Sequence, residues 1–549
     1  MRLQSLVLNP PLDGAEKLCA GRESGGAISY DAYFNVLACE KWIRYAACAN
    51  FRIRVHVAGR GRARIMAREG ALSEKEFNLP GGGEIVLFFD ASAAKIVWLE
   101  LSGGARLASG AFEADADARE IWIAVDICTY RREECVRKTV EALRTAVIEN
   151  PDSPLGGRLS IFVSDNAGTL GDLPGARVFQ NRNVGGAGGF ARGLIEVESA
   201  GGFTHAVFMD DDVTIIPEAF ERLFALLSAL RPEYRACQVA GAMLRLDRPW
   251  MQHESGARWL GLLSESLAAN LDLSDFADVE ADAAERSADY AAWWFACVPM
   301  PEIRRAGLPL PLFVRMDDIE YGLRLGRGVL TLPGIAVWHE PFERKHSSRT
   351  EYYHARNALI VDAIRTPEWN GIRLVRRLFF STLMRFRYAH ARMLLRGVED
   401  FLRGPDFLMN ADPEALNASL EAVPLSPASR EDAERAERSA GLRDTRLSKA
   451  LALLTFGGAL FPSRRRAYVY AHQNPLWAHF GKGGAVNVVA DTGLGFFAER
   501  DNRAALELML QYARLERRLR REGGKIRAQW RAAEGALKSR AFWADFLKL

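Results

Sequence analysis

His205-Ala-Val-Phe-Met-Asp-Asp-Asp-Val213 reads as an apolar strand that runs directly into three consecutive carboxylates. Strands buried on both faces are continuous apolar runs, and open α/β sheets bind ligands outside the carboxyl ends of their strands. The stretch therefore predicts a parallel sheet with an acidic centre at the carboxyl ends of its strands. Side chains alternate along a strand, so Asp210 and Asp212 point one way and Asp211 the other. Two carboxylates facing the same way repel unless a cation lies between them. Mg²⁺ or Mn²⁺ bridging a diphosphate is such a cation, since hard ions take oxygen ligands. The plain alternative is an acidic turn capping a helix that starts near Pro217.

Outward from that stretch, strands alternate with helices. Ile121-Trp-Ile-Ala-Val125 and Leu159-Ser-Ile-Phe-Val163 are apolar runs, Arg177-Val-Phe179 is a short strand, and Glu133 to Ile148 carries helical spacing. Residues 119–365 thus read as an α/β domain built from parallel βαβ units. Residues 1–115 read as β. Phe51-Arg-Ile-Arg-Val-His-Val57 alternates apolar and polar, and Glu84-Ile-Val-Leu-Phe-Phe89, after the turn Pro80-Gly-Gly-Gly83, and Lys95-Ile-Val-Trp-Leu-Glu-Leu101 add strands. Short strands at turn-punctuated intervals predict a β-sandwich, jelly-roll-like, a fold that binds carbohydrate or protein by analogy only. Residues 366–549 read as a helical region. Arg373, Arg376, Arg377, Arg385, Arg387, Arg392 and Arg396 face only Glu399 and Asp400 in the stretch 371–400, and 501–549 is also basic and amphipathic. Such helices suit either packing or a peripheral seat on an anionic membrane. The segment 411–440, acidic with Pro and Ser, reads as a connection.

Length and composition agree with two or three soluble domains. The chain has 549 residues, 49% of them apolar and 26% charged. Lys plus Arg total 72 against 69 Asp plus Glu, so nothing demands a nucleic acid or another polyanion. Seven cysteines lie far apart with no CxxC, which suggests neither a disulfide framework nor a structural zinc site. The first residues break at Pro10-Pro11 before a signal-peptide core, and the apolar run Ala450 to Phe461 is too short to span a bilayer. A cytoplasmic setting is the expectation.

Further residues carry chemistry. Met316-Asp-Asp-Ile-Glu320 follows the Pro-rich loop Gly307-Leu-Pro-Leu-Pro-Leu312, where an aspartate can cap a helix or act as a base tuned by apolar surroundings. Ile335-Ala-Val-Trp-His339 ends a strand in an imidazole, a good Mn²⁺ ligand that would complete a site begun by Asp210 and Asp212. His354 and Arg356, in Tyr352-Tyr-His-Ala-Arg-Asn357, open a helix where they could meet phosphate oxygens. In a nucleotide-sugar reading, Thr129 and Arg132 of Asp126-Ile-Cys-Thr-Tyr-Arg-Arg132 contact nucleotide or phosphate. Asp165 accepts from the base, Asn183 holds ribose or base, and Asp211 joins the donor-binding set. A rival reading comes from Gly186-x-Gly188-x-x-Ala191, which meets the relaxed dinucleotide fingerprint with an acidic residue about twenty positions later. Two earlier strands precede it, whereas that fingerprint belongs to the first βα turn of its fold.

The ordered set CTYRR, SDN, NxGGAGGFARG, MDDD, MDDIEYGLR, VWHE and YYHARN resembles family-2 inverting glycosyltransferases of the GT-A fold. Within them it is most similar to the polymerising galactofuranosyltransferases of mycobacterial galactan synthesis. Those enzymes carry an N-terminal β-sandwich, a central GT-A domain and a helical C-terminal region, and YDAYFNVLACEKW near the N-terminus looks like the entry to their sandwich. The resemblance implies metal binding by Asp210, Asp212 and His339, and catalysis by Asp318 as base with Asp317 beside it. It also implies a diphosphate contact at His354 and a sugar or acceptor site lined by Trp293 and Trp294, whose alternative is core packing.

The function expected is a metal-dependent, inverting transfer of a sugar, galactofuranose above others, from a UDP-sugar to a hydroxyl of a growing cell-surface glycan. The cofactor is Mn²⁺ or Mg²⁺, and the acceptor is a glycan or lipid-linked glycan. The setting is the cytoplasm or the inner face of the membrane, with a homo-oligomer allowed. The alternatives are a glycan- or membrane-surface adaptor with a relic catalytic domain, and the nicotinamide-dependent oxidoreductase.

Overall fold

The alternation in Phe51-Arg-Ile-Arg-Val-His-Val57 is realised: in the computed structural model Phe51, Ile53, Val55 and Val57 are buried along the strand Cys48–Ala67. The structure describes residues 1–261, 263–455, 457–458 and 464–549. The chain forms two compact units, Met1–Pro309 with Tyr321–Glu340, and Leu310–Glu320 with Pro341–Leu549.

In the first unit, seven strands join one antiparallel sheet around Cys48–Ala67. That strand pairs with Arg106–Ala116 over its first part and with Trp98–Ser102 over its second, with register shifts between Ala49 and Arg52 and between His56 and Val57. Bulges of this kind bend a strand and let it serve two sheet directions. The expected turn at Pro80–Gly83 is instead an irregularity inside the long strand Gly70–Phe88, whose partner skips from Val57 to Gly59.

The same unit holds a ten-stranded mixed sheet. Its parallel part runs in the order Ala176–Gln180, Leu159–Asp165, Ile123–Thr129, His205–Asp210, and Ala296–Pro299 then pairs antiparallel with the last of these. Val329–His339 runs parallel to Gln238–Arg245 and antiparallel to the short strand Thr214–Ile215. The helix Gly185–Ala200 packs on Ile123–Thr129 through small residues. A Cβ on Gly189 would stand 2.1 Å from Cys128 Sγ, and one on Gly193 would stand 1.8 Å from Asp126 Oδ1. Gly186 and Gly188 already lie inside this helix, not in a loop ahead of it as a dinucleotide fingerprint requires.

Helices dominate the second unit. Tyr388–Leu402 packs against Arg349–Arg365, and a Cβ on Gly397 would stand 2.5 Å from the Tyr352 carbonyl oxygen. Phe401 lies between stacked Trp369 and Trp530, with ring centroids at 5.8 and 5.9 Å, and Trp530 sits on the long helix Asn502–Leu537. A four-stranded sheet (Ser426–Pro427, Leu494–Glu499, Gly484–Val489, Arg466–Tyr470) adds β structure to a region read from sequence as mostly helical. Several arginines weighed for a membrane role bond inside this unit: Arg376 to Glu516, Arg385 to the Asn474 carbonyl, Arg387 to Asn487, Arg392 to Glu421 and Arg396 to Ser419. Among the described residues no helix is long and apolar enough to cross a membrane. Of the apolar run 450–461, residues 456 and 459–461 lie outside the described residues.

Candidate active site

Two ladders build the acidic centre. Asp210 ends the strand that pairs with Ile123–Thr129, where it lies opposite Cys128. The chain then turns through Asp211 and Asp212 into Thr214–Ile215, which pairs Thr214 with Trp338. His339 follows Trp338, so the second ladder delivers its imidazole beside the turn. Trp338 is fully buried, its indole N–H donates to the Pro249 carbonyl at 2.9 Å, and Phe34 packs on it at 5.7 Å. The strand end is therefore rigidly held.

His339 Nε2 stands 3.1 Å from Asp212 Oδ1 and 3.6 Å from Asp210 Oδ2. One ligand atom from each of the three residues lies within 4.8 Å of the others. Nδ1 faces the Glu340 carbonyl oxygen at 2.7 Å. A carbonyl only accepts, so Nδ1 carries a proton and Nε2 is the ring atom turned to the two carboxylates. Two carboxylates and an imidazole form an O,O,N donor set that suits Mn²⁺ or Mg²⁺. The His339 side chain is 1% exposed and that of Asp210 37%, so the group is open on its Asp210 side.

Asp211 lies in the turn beyond the strand end. It accepts from Thr129 Oγ1 at 2.7 Å and from Arg132 Nη1 at 3.1 Å, and burial pushes its carboxyl pKa up. Arg132 Nη1 also reaches Asp212 Oδ2 at 2.7 Å. Thr139 Oγ1 donates toward the carbonyls of Asp211 and Val213, a tie the sequence did not single out. Thr129, Arg132, Asp210, Asp211, Asp212 and His339 are thus brought together in the first unit.

The remaining candidates of this unit have other partners. Asp165 is buried, and its two oxygens accept from the backbone N–H groups of Ala167 and Leu170 at 3.0 and 2.7 Å. Asn183 Oδ1 accepts from the Gly185 N–H at 3.2 Å, at the start of the glycine-rich helix. Trp293 is 7% exposed and stacks on Phe208 at 5.1 Å, with Phe190 and Tyr321 against its edges. Trp294 is 6% exposed and donates its indole N–H to the Gly241 carbonyl at 3.0 Å. Both rings are packed on their neighbours and keep a small exposed part.

In the second unit, Asp317 and Asp318 follow a tightly wound loop. Phe313, Arg315 and Met316 have φ of 73°, 69° and 67°. The Val314 N–H donates to the Leu312 carbonyl at 3.0 Å, which closes a γ-turn over Phe313. Left-handed backbone at residues with a Cβ costs about 1–3 kcal/mol each and persists only where surrounding structure enforces it. The Asp318 carboxyl accepts from the Ile319 N–H at 2.8 Å, and burial raises its pKa against the opposing pull of that bond and of Arg315. His354 is held below the usual imidazole range by burial, with Arg315 adding to the shift and Glu351 opposing it. Arg356 is buried and turned inward, bonding to the Leu312 carbonyl and to Asn357 Oδ1 at 2.9 Å each. The phosphate contact expected of Arg356 is thus replaced by support of the loop.

The sheet, its acidic edge and the relatives of the chain together make it a glycosyltransferase. Over 597 aligned positions the chain is 26% identical to "Galactofuranosyltransferase GlfT2" of Mycobacterium tuberculosis (strain ATCC 25618 / H37Rv), covering 95% of this chain and 90% of that protein. It is 24% identical over 586 positions to the protein of the same name from Mycolicibacterium smegmatis (strain ATCC 700084 / mc(2)155), covering 95% and 88%. The resemblance carried by the motifs therefore extends over nearly the whole chain. Among solved structures, the mannosyltransferase PcManGT from Pyrobaculum calidifontis in complex with GDP-Man and Mn²⁺ aligns with a TM-score of 0.32 at 13% identity, covering 55% of this chain and 80% of that one. Mannosyl-3-phosphoglycerate synthase from Rubrobacter xylanophilus aligns with a TM-score of 0.28 at 14% identity, covering 44% and 73%. No protein-family model matches the chain.

Proposed function

We propose that the chain is a metal-dependent, inverting transferase that moves galactofuranose from UDP-galactofuranose to a hydroxyl of a growing glycan. The observation that carries this reading is the convergence of Asp210, Asp212 and His339 at the carboxyl ends of the strands His205–Asp210 and Val329–His339. The likeness to two galactofuranosyltransferases over 95% of the chain supports the donor. In this reading residues 119–365 are a GT-A domain, 1–115 a β-sandwich and 366–549 a helical region. The reaction takes place in the cytoplasm, at the inner membrane face where the acceptor is lipid-linked.

Asp210, Asp212 and His339 would hold Mn²⁺ or Mg²⁺, and the bound ion would neutralise charge on the departing diphosphate. Thr129 and Arg132 bond to Asp211, and Arg132 also bonds to Asp212, so one guanidinium fixes both carboxylates of the turn. His354, neutral because its pKa is lowered, offers an N–H to the donor diphosphate. Asn183 and Asp165 shape the nucleotide end, and Trp293 and Trp294 form the floor of the sugar site. Asp318, with Asp317 beside it, takes the proton of the acceptor hydroxyl as that oxygen bonds to the anomeric carbon. The bond to the UDP oxygen breaks on the opposite face, so a single displacement inverts the centre. A base works best when its pKa approaches the operating pH, and burial moves Asp318 in that direction.

The test is UDP release from a panel of UDP-sugars with Mn²⁺ and then with EDTA, in the presence of an alkyl galactofuranoside acceptor. Metal-dependent release from UDP-galactofuranose is the expected result. No release from any donor, together with no metal-dependent UDP binding, would overturn the reading in favour of a non-catalytic adaptor.

A further inference from the structure

The γ-turn ahead of Asp317 is held by two adjacent side chains, of which Asn357 makes the larger share of the bonds. Asn357 is fully buried on the helix Arg349–Arg365, and its Nδ2 lies 2.9 Å from each of the carbonyl oxygens of Leu312, Val314 and Arg315. Its Oδ1 accepts from Arg356 Nε at 2.9 Å, and an arginine only donates, so the amide cannot flip. Arg356 adds a bond to the Leu312 carbonyl and is tied through the Tyr352 hydroxyl to Asp400. Three residues with positive φ, Phe313, Arg315 and Met316, crowd into this turn. Nothing in their side chains favours that backbone, so the convergence of carbonyls on a buried amide is what keeps it wound.

We infer that Asn357 is a positioning residue for transfer: its amide winds the 312–316 turn and thereby sets where Asp317 and Asp318 point. The inference rests on the reading of Asp318 as the base. Asn357 touches no substrate in this account and acts through the loop alone. Its loss moves the base while leaving the donor ligands of the first unit in place. It therefore lowers kcat and spares the KM for donor.

The experiment compares Asn357→Ala, Asn357→Ser, Asp318→Asn and Asn357→Ala combined with Arg315→Gly, each in the full chain with Mn²⁺, UDP-galactofuranose and an alkyl galactofuranoside. Asn357→Ser retains one donor and decides in the same terms if Asn357→Ala does not fold. A misplaced catalytic group costs roughly 100-fold, so kcat is expected to fall 10- to 100-fold with donor KM within about twofold of wild type. Glycine at position 315 adopts positive φ without strain, so the combined variant is expected to recover a measurable part of kcat. A folded Asn357 variant with wild-type kcat, beside an inactive Asp318→Asn, would overturn the positioning role alone. So would a kcat loss that follows melting temperature and is not recovered by Arg315→Gly. An active Asp318→Asn would instead overturn the base assignment on which the inference stands.

Discussion

His339 Nε2 and Asp212 Oδ1 face each other at 3.1 Å, across the gap between a strand end and the turn that follows Asp210. The Glu340 carbonyl keeps the proton on the other ring nitrogen, so this contact is a lone pair turned toward a carboxylate unless the imidazole is charged. Such an arrangement is stable when a cation lies between the two. His339→Ala is therefore expected to weaken Mn²⁺-dependent UDP binding by more than about 100-fold, beyond the loss typical of groups outside the ligand shell. Calorimetric titration of UDP with and without Mn²⁺ checks this, and binding unchanged by the substitution would remove His339 from the ligand set.

Asp318→Asn keeps the shape of the side chain and the bond from the Ile319 N–H, but it cannot take a proton. The expected outcome is loss of transfer by about 100- to 10,000-fold, the range of general acid–base catalysis, with unchanged melting temperature and UDP affinity. Transfer rates near wild type would assign the base elsewhere.

Gly193 and Gly524 make opposite forecasts for one substitution. At Gly193 a new Cβ meets the buried Asp126 carboxyl at 1.8 Å, and the helix must lift from its strand. Gly193→Ala is expected to destabilise by about 3 kcal/mol, as overpacking does. Gly524 lies exposed inside Asn502–Leu537 with nothing within 4 Å of its Cβ position. Gly524→Ala is expected to stabilise by about 0.5–1 kcal/mol through helix propensity. Melting temperatures of both variants, measured together, give the two signs.

Part of this was legible in the sequence, and the missing parts have identifiable causes. The acidic centre could be read because an apolar strand delivers a run of carboxylates to its carboxyl end; the strand stops at Asp210, so where Asp211 and Asp212 point is set by the turn and its partners. Arg466-Ala-Tyr-Val-Tyr470 also alternates, with Ala467 and Val469 buried, but its partners are short and a helical context hid the small sheet. Asp165 stood out because it ends a strand. That its oxygens accept from N–H groups two and five residues later, the habit of an aspartate before Asn, Ala and Gly, depends on how the following loop folds back. Asn357 could not be recognised at all. A mid-helix asparagine means little until a loop some forty positions earlier brings three carbonyls to it.

The last prediction concerns acid. His346 Nε2 lies 3.1 Å from His390 Nε2, and both rings stack on Phe496. One ring donates in that hydrogen bond and the other accepts, so the two rings cannot both be protonated while it is kept. Burial, with Arg387 beside them, lowers the His346 pKa to about 4 and that of His390 to about 3. The unfolded chain binds protons at these groups near the ordinary value of 6.5, and the folded chain does not. Stability is therefore fully present above that value and falls as pH drops toward the folded pKa values, by about 1.4 kcal/mol per pH unit for each histidine. His390→Phe fills the space beside Phe496 and removes one of the two titrations. Its melting temperature is expected to fall less than that of the wild type between pH 7 and pH 5, whatever its value at pH 7. Parallel curves for the two proteins over that interval would show that the pair is not what makes this unit sensitive to acid.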